Sequence, residues 1–539
     1  MVLCQGKLHR ELTRRTDPVS DPGHPVSATP TSRRNASGMR ELDPPRRGWY
    51  SAGHTDEQGG IMDKPAIDLG VFLQPRSVAV IGASDKPGSW GSFMMGGLAA
   101  WRYPGTIYPV NRRAGTVSGH PAFPDVRDIP GEVDLAVMAV PEAFVEETIR
   151  ACGEKGVRGM SIITAGFGEA VRGGRERELA FARLAHGYGM RLLGPNISGT
   201  FNLHAGFNAA ASPAEHLYPT KLAAVCQGGF AFYDLLAAGS FRKMGVGRFV
   251  HTGNECDLTV TDFLEYFGAD PEVPAILTYL ETIRDGERFL EVARRVTRMK
   301  PVIAFKAGRS AGAARAAQSH TGALAGRAEV FAGFLRQAGV ITVPTMDVML
   351  PLAHALVEHP PLKGPRIGIV TIGGSWGVAL ADALEEEGLC VPELSAGLQE
   401  RLRALDMPPR ASTRNPIDLG AAGMVSLSDQ RQTLGRVLLE SGEVDALVVH
   451  GLGRPGRITE TRSEDWKAFQ RFEKWTIRQF VDLERETGLP VLVGAHFAPW
   501  ESQVVWDLNE KGIRIHNRLD EIARVLAGLL QDGRRGPGG

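Results

Sequence analysis

The sequence predicts an α/β protein with three consecutive domains, each built on a parallel sheet covered by helices. Short apolar strands alternate with loops and helical segments from about residue 77 onward, a pattern typical of parallel sheets with helices on both faces. A chain of 539 residues is also too long for one ordinary hydrophobic core. The pattern restarts after residues 200–220 and 345–365, which contain Pro and His and little periodicity. These two segments are therefore the expected joints between domains.

The predicted strands fall into three groups. The first group is 77–83, 106–110, 134–140, 159–165 and 190–195; the second is 221–227, 247–253, 275–281 and 301–307; the third is 366–372, 446–452 and 490–496. The corresponding domains are predicted at residues 62–205, 215–345 and 362–532. No sequence motif is repeated, so the architecture recurs without a tandem repeat.

The two ends of the chain differ from the rest. Residues 1–61 are rich in Arg, Pro, Ser and Gly and have almost no apolar periodicity. Such a stretch cannot bury enough apolar surface to offset chain entropy, so we predict a disordered extension. Met62 opens a stretch that resembles a natural protein start, which leaves the translation of residues 1–61 open. Residues 533–539 are predicted to be a disordered, solvated tail.

Composition narrows the classes of function. Hydrophobic residues make up 43% of the chain and charged residues 23%, as in globular proteins. The formal net charge is zero, so bulk electrostatics gives no reason to expect binding to nucleic acid or membrane. The sequence contains neither an apolar run of transmembrane length nor a signal-peptide core. The five cysteines are scattered without a CxxC motif, so no metal site is indicated and a cytoplasmic location is expected.

A Gly-rich turn follows the first strand in "VAVIGASDKPGSWG". The backbone amides of such a turn, together with the N-terminus of the next helix, can bind an anion. The spacing is not GxGxxG, and a tight turn alone would also require Gly82, Gly88 and Gly91. We interpret the turn as part of a nucleotide-type ligand site.

Further candidate ligand groups lie at the ends of other predicted strands. Arg112 and Arg113 follow the second strand, where positive charge suits a phosphorylated ribose, as in NADP or coenzyme A; the alternative is a solvated Arg pair. Gly228 and Gly229 open a helix and can bind phosphate, or simply form a tight turn. Glu281 ends another strand, at the edge where parallel sheets bind ligands, although it could equally cap the next helix.

His320 lies in "QSHTGALAG", where nearly all neighbouring side chains are small. Small residues allow a loop to approach a ligand closely and to move. A histidine on such a loop can act as a nucleophile whose product is a phosphohistidine. A carboxylate such as that of Glu281 could orient the ring. The alternative is an ordinary polar histidine on a loop.

From Met62 to about residue 530, the chain resembles the α subunits of NDP-forming acyl-CoA synthetases. These are the ADP-forming acetate–CoA ligases, related to succinyl-CoA synthetase. The matching stretches include "SVAVIGAS", "YPVN", "GMRLLGPN", "GNECDLTVTDFLEYF", "YLETIRDGERFLEVARRV", "ARAAQSHTGALAG" and "RNPIDL". The resemblance implies an N-terminal Rossmann-like CoA-binding domain followed by two flavodoxin-like ligase domains.

The resemblance also implies functional residues. His320 corresponds to the phosphorylated histidine of the family, and Glu281 to the acid that steadies it. The implied coenzyme A site consists of Gly82, Ala83, Ser84, Lys86, Gly88, Asn111, Arg112, Val140 and Pro141. The implied phosphate and acyl site consists of Asn196, Gln227, Gly228, Gly229, Gly253 and Asn254.

The reaction implied by the resemblance is acyl-CoA + ADP + phosphate ⇌ carboxylic acid + ATP + CoA, through an acyl phosphate and a phosphohistidine. The family binds ADP or ATP, with Mg, on an ATP-grasp module. We recognise no such module in this sequence, so the expected partner is a separate ATP-grasp β subunit in a hetero-oligomer.

One departure from the family concerns the stretch from Gln227 to Phe230, where family members usually carry "QSGA" or similar. Gly228 lacks the Ser hydroxyl, which removes one phosphate donor, and Phe230 would narrow the site or change the choice of acyl group. An alternative function is therefore a catalytically degenerate regulatory protein that binds CoA or acyl-CoA. An NADP oxidoreductase would leave His320 unexplained.

Overall fold

The structure is a computed structural model. It describes residues 65–212, 214–310, 312–313, 328–405, 407–408, 410–420, 431–456 and 463–533. The predicted extension at residues 1–61 and the candidate nucleophile His320 lie outside the described residues, as do residues 534–539 of the predicted tail. Within the described ranges, no helix combines the length and the apolar character needed to cross a membrane.

The first sheet confirms the five strands predicted for the first domain. They are β1 Ser77–Ile81, β2 Thr106–Val110, β5 Leu135–Met138, β6 Gly159–Ile162 and β7 Arg191–Leu193; β3 Thr116–Val117 and β4 His120–Pro121 form a separate antiparallel ribbon. The strands of the sheet are parallel, in the order β2-β1-β5-β6-β7. Its helices are α1 Trp90–Ala100, α2 Val145–Lys155 and α3 Gly174–Gly187. The chain order reverses between β1 and β5, where open parallel sheets bind ligands.

The second sheet contains the four predicted strands and three more. Its strands are β8 Gly199–Asn202, β9 Phe207–Ala210, β10 Ala223–Cys226, β11 Arg248–His251, β12 Ile276–Leu280, β13 Val302–Lys306 and β14 Ile341–Val343. The order is β14-β13-β12-β10-β11-β8-β9. Strands β8 and β9 are antiparallel additions at one edge, built from the segment expected to be a joint. The chain order reverses between β10 and β12.

The helices of this region alternate with its strands along the chain. They are α4 Phe230–Ser240, α5 Val260–Ala269, α6 Gly286–Thr297, α7 Ala328–Gln337 and α8 Met349–Glu358. Helix α8 lies in the segment expected to be the second joint. The predicted parallel architecture is therefore confirmed with an antiparallel edge, whereas the domain boundaries stay predictions.

The third sheet contains the three predicted strands between two short additional ones. The strands are β15 Ile367–Thr371, β16 Ile417–Asp418, β17 Ala446–His450, β18 Val491–Gly494 and β19 Ile515–His516. They are parallel, in the order β16-β15-β17-β18-β19. The helices are α9 Gly374–Glu386, α10 Ala396–Arg403, α11 Arg431–Leu439, α12 Glu464–Thr487, α13 Gln503–Glu510 and α14 Leu519–Gly533.

The three sheets are joined by close packing between their outer elements. Helix α1 packs against β9, and a Cβ atom on Gly97 would lie only 2.6 Å from the Asn208 carbonyl oxygen. Helix α8 packs against α14. Arg242, at the end of α4, donates through Nη1 to Oε2 of Glu521 on α14 at 2.9 Å. The starts of α1 and α4 also lie next to each other, with the ring centres of Trp90 and Phe230 6.1 Å apart.

A buried carboxylate also links the first and second sheets. Asp257 follows β11, is 4% exposed, and accepts hydrogen bonds from Arg191 Nε at 2.8 Å and from the Leu192 amide at 2.9 Å. Nε2 of His186 lies 3.1 Å from Asp257 Oδ1. Burial alone would raise the pKa of Asp257, but the neighbouring His186 and Arg191 outweigh it and lower the pKa from 3.8 to about 2. Because the folded pKa is depressed, this contribution to stability is present above pH 3.8 and is lost as the pH falls towards 2.

We expect Asp257→Asn to lower the free energy of unfolding by about 3–5 kcal/mol, because it leaves the buried Arg191 guanidinium without its counter-charge. Urea unfolding at neutral pH measures the change. The matched control is Glu464→Gln, which removes an exposed ion pair with Lys467 and should leave unfolding unchanged. Equal effects of the two substitutions would contradict the assignment of Asp257 as the link between the sheets.

Candidate active site

The first cleft lies at the carboxyl edge of the first sheet, at the reversal between β1 and β5. Its volume is about 240 Å³. Five of the residues predicted to bind a cofactor line it: Gly82, Asn111, Arg112, Val140 and Pro141. Ala83, which is buried, and Ser84, Lys86 and Gly88 are not among its lining residues. The structure therefore assembles part of the predicted set.

Local hydrogen bonds explain the shape of this cleft. Gly82 has φ +90°, and a Cβ atom there would lie 2.4 Å from the Ala139 carbonyl oxygen, so only glycine fits. The Asn111 side chain donates through Nδ2 to the Ala83 carbonyl oxygen at 2.8 Å, and its Oδ1 accepts from the Arg113 amide at 2.8 Å. Asn111 thereby fastens the turn after β2 to the turn after β1.

Arg112 lies at the mouth of the first cleft. Its guanidinium carbon is 5.2 Å from the centre of the Phe144 ring, and Nη2 is 3.3 Å from Oε1 of Glu147. The side chain is largely exposed, which makes this ion pair weak and the guanidinium available to an anionic ligand. A flat ring beside a cationic group is suited to a nucleotide with a phosphorylated ribose.

The second cleft lies at the carboxyl edge of the second sheet and has a volume of about 590 Å³. Five predicted site residues line it: Asn196, Gln227, Gly228, Gly229 and Glu281. The first domain contributes as well, through Trp90 at the start of α1 and through Thr164. This cleft therefore lies between two sheets, which the strand pattern alone did not predict.

Gln227 positions the candidate acid Glu281. Its Oε1 accepts hydrogen bonds from the backbone amides of Glu281 at 2.6 Å and Thr282 at 3.0 Å, and its Nε2 donates to the Thr282 carbonyl oxygen at 2.8 Å. Strands β10 and β12 are neighbours in the sheet, so one side chain can bridge the turns that follow them. On the other side, Lys306 Nζ donates to the Glu281 carbonyl oxygen at 3.0 Å. The backbone of Glu281 is thus held from both directions.

The N-terminus of α4 opens into the same cleft. Helix α4 begins at Phe230 with Gly229 as its N-cap residue, and no described side chain caps it. The amides of a first helical turn have no partners within the helix, and the helix dipole adds partial positive charge there. This N-terminus is consequently available to a phosphate.

His251 was not predicted from the sequence, yet it fixes the turn that leads into α4. Its Nδ1 accepts from the Ser198 backbone amide at 2.7 Å, so in the neutral ring Nε2 carries the hydrogen and donates to the Gln227 carbonyl oxygen at 2.8 Å. A Cβ atom on Gly229 would lie 2.2 Å from Ser198 Oγ and 2.6 Å from His251 Nδ1. The only available signal was that His251 lies near the end of the predicted strand 247–253.

Gly253 and Asn254 support the cleft without lining it. Gly253 has φ +57°, and a Cβ atom there would lie 2.3 Å from the Pro195 carbonyl oxygen. Asn254 accepts from Asn196 Nδ2 at 3.2 Å and donates to Glu178 Oε1 at 2.7 Å. Because Asn196 has φ +61°, an unusual conformation for a residue with a side chain, this network holds it in place.

Charged and polar groups around Glu281 have shifted pKa values. Burial raises the pKa of Tyr279, and the negative charge of Glu281 raises it further, to about 12. The phenol therefore keeps its proton at neutral pH and can donate a hydrogen bond. Burial lowers the pKa of Lys306, although Glu281 opposes this. The phenol and the uncapped helix N-terminus can together bind and polarise a phosphoryl group.

His320 and residues 314–319 before it lie outside the described residues, whereas Ala313 is described. Ala313, seven positions before His320, lines the second cleft, and α7 begins eight positions after it. Seven residues can span at most about 25 Å. The sequence separation is therefore compatible with a role for His320 at Glu281.

The chain is similar to known proteins over most of its length. A CoA binding domain model matches residues 76–200, and a succinyl-CoA ligase like flavodoxin domain model matches residues 219–356. The acetate–CoA ligase [ADP-forming] II subunit alpha of Pyrococcus furiosus is 38% identical over 87% of this chain and 99% of its own length. The corresponding I subunit alpha of the same organism is 41% identical over 66% of this chain and 77% of its own length.

A solved structure supports the same relationship. The dinucleotide forming acetyl-coenzyme A synthetase 1 of Ca. Korarchaeum cryptofilum, in complex with phosphate and ADP, superposes with a TM-score of 0.74 and is 32% identical. The match covers 87% of this chain and 97% of that chain.

We expect Gly229→Ala to abolish binding of inorganic phosphate in calorimetry and to destabilise the protein by about 1–3 kcal/mol, because the new methyl group would collide with Ser198 and His251. Gly96→Ala is the matched control: nothing lies within 4 Å of its Cβ position, and alanine favours the helix. Unchanged phosphate affinity in Gly229→Ala would refute the anion site at α4.

Proposed function

The chain belongs to the family of ADP-forming acetate–CoA ligase α subunits, and we propose that it catalyses the CoA and acyl-phosphate steps of acyl-CoA + ADP + phosphate ⇌ carboxylic acid + ATP + CoA. The observation that carries this proposal is the second cleft, which is lined by Glu281, by the uncapped N-terminus of α4 and by Ala313, seven positions before His320. A cytoplasmic location remains a prediction from the sequence.

Coenzyme A is proposed to bind in the first cleft. Gly82 allows the ligand to approach the backbone, and Arg112 supplies positive charge for its phosphates. The turn that begins at Gly82 continues into α1, whose first residue, Trp90, lines the second cleft. A ligand that follows this turn would bring its thiol end towards Glu281.

In the first step, a phosphate oxygen attacks the thioester carbonyl carbon, the C–S bond breaks, and the CoA sulfur leaves with the bonding electrons and is then protonated. The product is an acyl phosphate. The amides at the N-terminus of α4 would bind the phosphate and stabilise the charge that develops on it. The phenol of Tyr279, which stays protonated, is a further donor.

In the second step, a ring nitrogen of His320 attacks phosphorus, the P–O bond to the acyl group breaks, and the carboxylic acid leaves as its carboxylate. Glu281 would accept a hydrogen bond from the other ring nitrogen and stabilise the positive charge on the ring. The phosphoryl group then passes to ADP on an ATP-grasp partner subunit, where Mg²⁺ would neutralise phosphate charge.

The departure at Gly228 has a structural counterpart in Tyr279. A Cβ atom on Gly228 would lie 2.8 Å from the Tyr279 ring, so the space that a Ser side chain would need is already occupied. The backbone amides of the turn remain available. The alternative of a degenerate acyl-CoA-binding regulator is decided by whether His320 is phosphorylated.

We expect the chain, when it is co-expressed with an ATP-grasp subunit and given radiolabelled ATP, to acquire a radioactive phosphoryl group. This label should be labile in acid and stable in base. His320→Ala should remove the label, and Glu281→Gln should slow labelling about 100-fold, since it keeps the shape and removes the charge. His216→Ala, at an exposed histidine, is the matched control and should label normally. No label with any ATP-grasp partner and acyl-CoA would favour the regulatory alternative.

We also expect calorimetry to detect CoA binding and no NADP binding. Arg112→Glu should weaken CoA binding at least about tenfold, by replacing attraction to the phosphates with repulsion. The control Arg298→Glu reverses an exposed charge at the end of α6 and should not alter affinity. Tight NADP binding would contradict the assignment of the first cleft.

A further inference from the structure

Three large aromatic side chains are exposed at the second cleft or beside it: Trp90 and Phe230 line the cleft, and Phe93 contacts Trp90. The exposed fractions are 38% for Trp90, 47% for Phe93 and 62% for Phe230. The centre of the Trp90 ring lies 6.4 Å from that of Phe93 and 6.1 Å from that of Phe230. The three rings therefore form one continuous surface, here called the aromatic lip. Contiguous exposed apolar surface of this kind commonly marks a binding site.

The aromatic lip is held by both domains. Trp90 and Phe93 belong to α1, which is fixed by its close packing against β9. Phe230 is the first residue of α4, directly after Gly229, and its ring lies 6.2 Å from that of the buried Tyr233. Trp90 and Phe230 also line the cleft that contains Glu281. The lip is therefore part of the proposed reaction site.

We propose that the aromatic lip binds the apolar part of the acyl group, and that this chain prefers an aryl or similarly large apolar carboxylic acid to acetate. The inference rests on the proposed function, because a phosphate bound at the N-terminus of α4 places the acyl carbon beside Phe230. A methyl group is all the apolar surface that acetate offers, and it would leave most of the lip exposed to water.

The lip presents one aromatic surface on which a flat ring could pack. Its rings contact one another at centroid separations within the favourable range of about 4.5–7 Å, and each remains partly exposed. The cleft volume of about 590 Å³ lies within the range of small-molecule sites. Apolar contacts of this kind discriminate between substrates by about 10–200-fold per group.

The experiment compares the binding of phenylacetyl-CoA, acetyl-CoA and free CoA to the full chain by calorimetry. We expect phenylacetyl-CoA to bind at least about tenfold more tightly than acetyl-CoA. Phe230→Ala and Trp90→Ala should abolish that difference by lowering the affinity for phenylacetyl-CoA to that for acetyl-CoA. The matched control is Phe241→Ala, at an exposed phenylalanine just after the other end of α4, whose ring is 5.9 Å from that of Trp500.

Phe230 is largely exposed, so its truncation should not unfold the protein, and circular dichroism checks this. Phe230→Leu, which keeps an apolar side chain at this position, should restore part of the preference for phenylacetyl-CoA. Equal affinities for the two thioesters, or a preference that survives both lip variants, would overturn the inference while leaving the ligase function intact. A preference that depends on the lip without any labelling of His320 would support the inference and refute the catalytic proposal.

Discussion

The backbone at Gly229 approaches its neighbours so closely that no side chain fits, and the architecture of the second cleft depends on this contact. Ser198 and His251 occupy the space where a Cβ atom would lie, 2.2 and 2.6 Å away. His251 in turn holds the Gln227 carbonyl oxygen, and the Gln227 side chain holds the backbone at Glu281. The helix N-terminus and the candidate acid are therefore fixed relative to each other by one connected set of contacts.

The first and second sheets form one functional unit through helix α1. The turn after β1 lines the first cleft at Gly82, and the helix that follows it delivers Trp90 to the second cleft. The packing of Gly97 against β9 and the buried Arg191–Asp257 ion pair hold the two sheets in a fixed position relative to each other. Because both contacts are tight and buried, the distance between the proposed CoA site and the proposed phosphate site is set by the fold.

The strand-end residues could be predicted because parallel strands place their carboxyl ends at one edge of a sheet. That rule pointed to Gly229 and Glu281, and the family resemblance added Gln227; all three line the second cleft. Neither signal pointed to Ser198, which precedes the antiparallel strand β8, or to Trp90, which comes from another sheet. The resemblance also assigned Gly253 and Asn254 to the site, whereas they do not line the cleft and Asn254 bonds to Asn196 instead, because sequence order does not say which side of a turn faces the ligand.

The sequence by itself determined the three parallel sheets, the strand ends that carry polar groups and the family to which the chain belongs. Apolar periodicity records which residues each element buries, and this local information is sufficient for strands and helices. Only the tertiary structure decided that two sheets share a cleft, that His251 is the residue fastening its turns, and that Phe230 meets Trp90. These contacts join residues that are between 24 and 140 positions apart in the sequence, and they depend on how whole layers pack, which local periodicity does not encode.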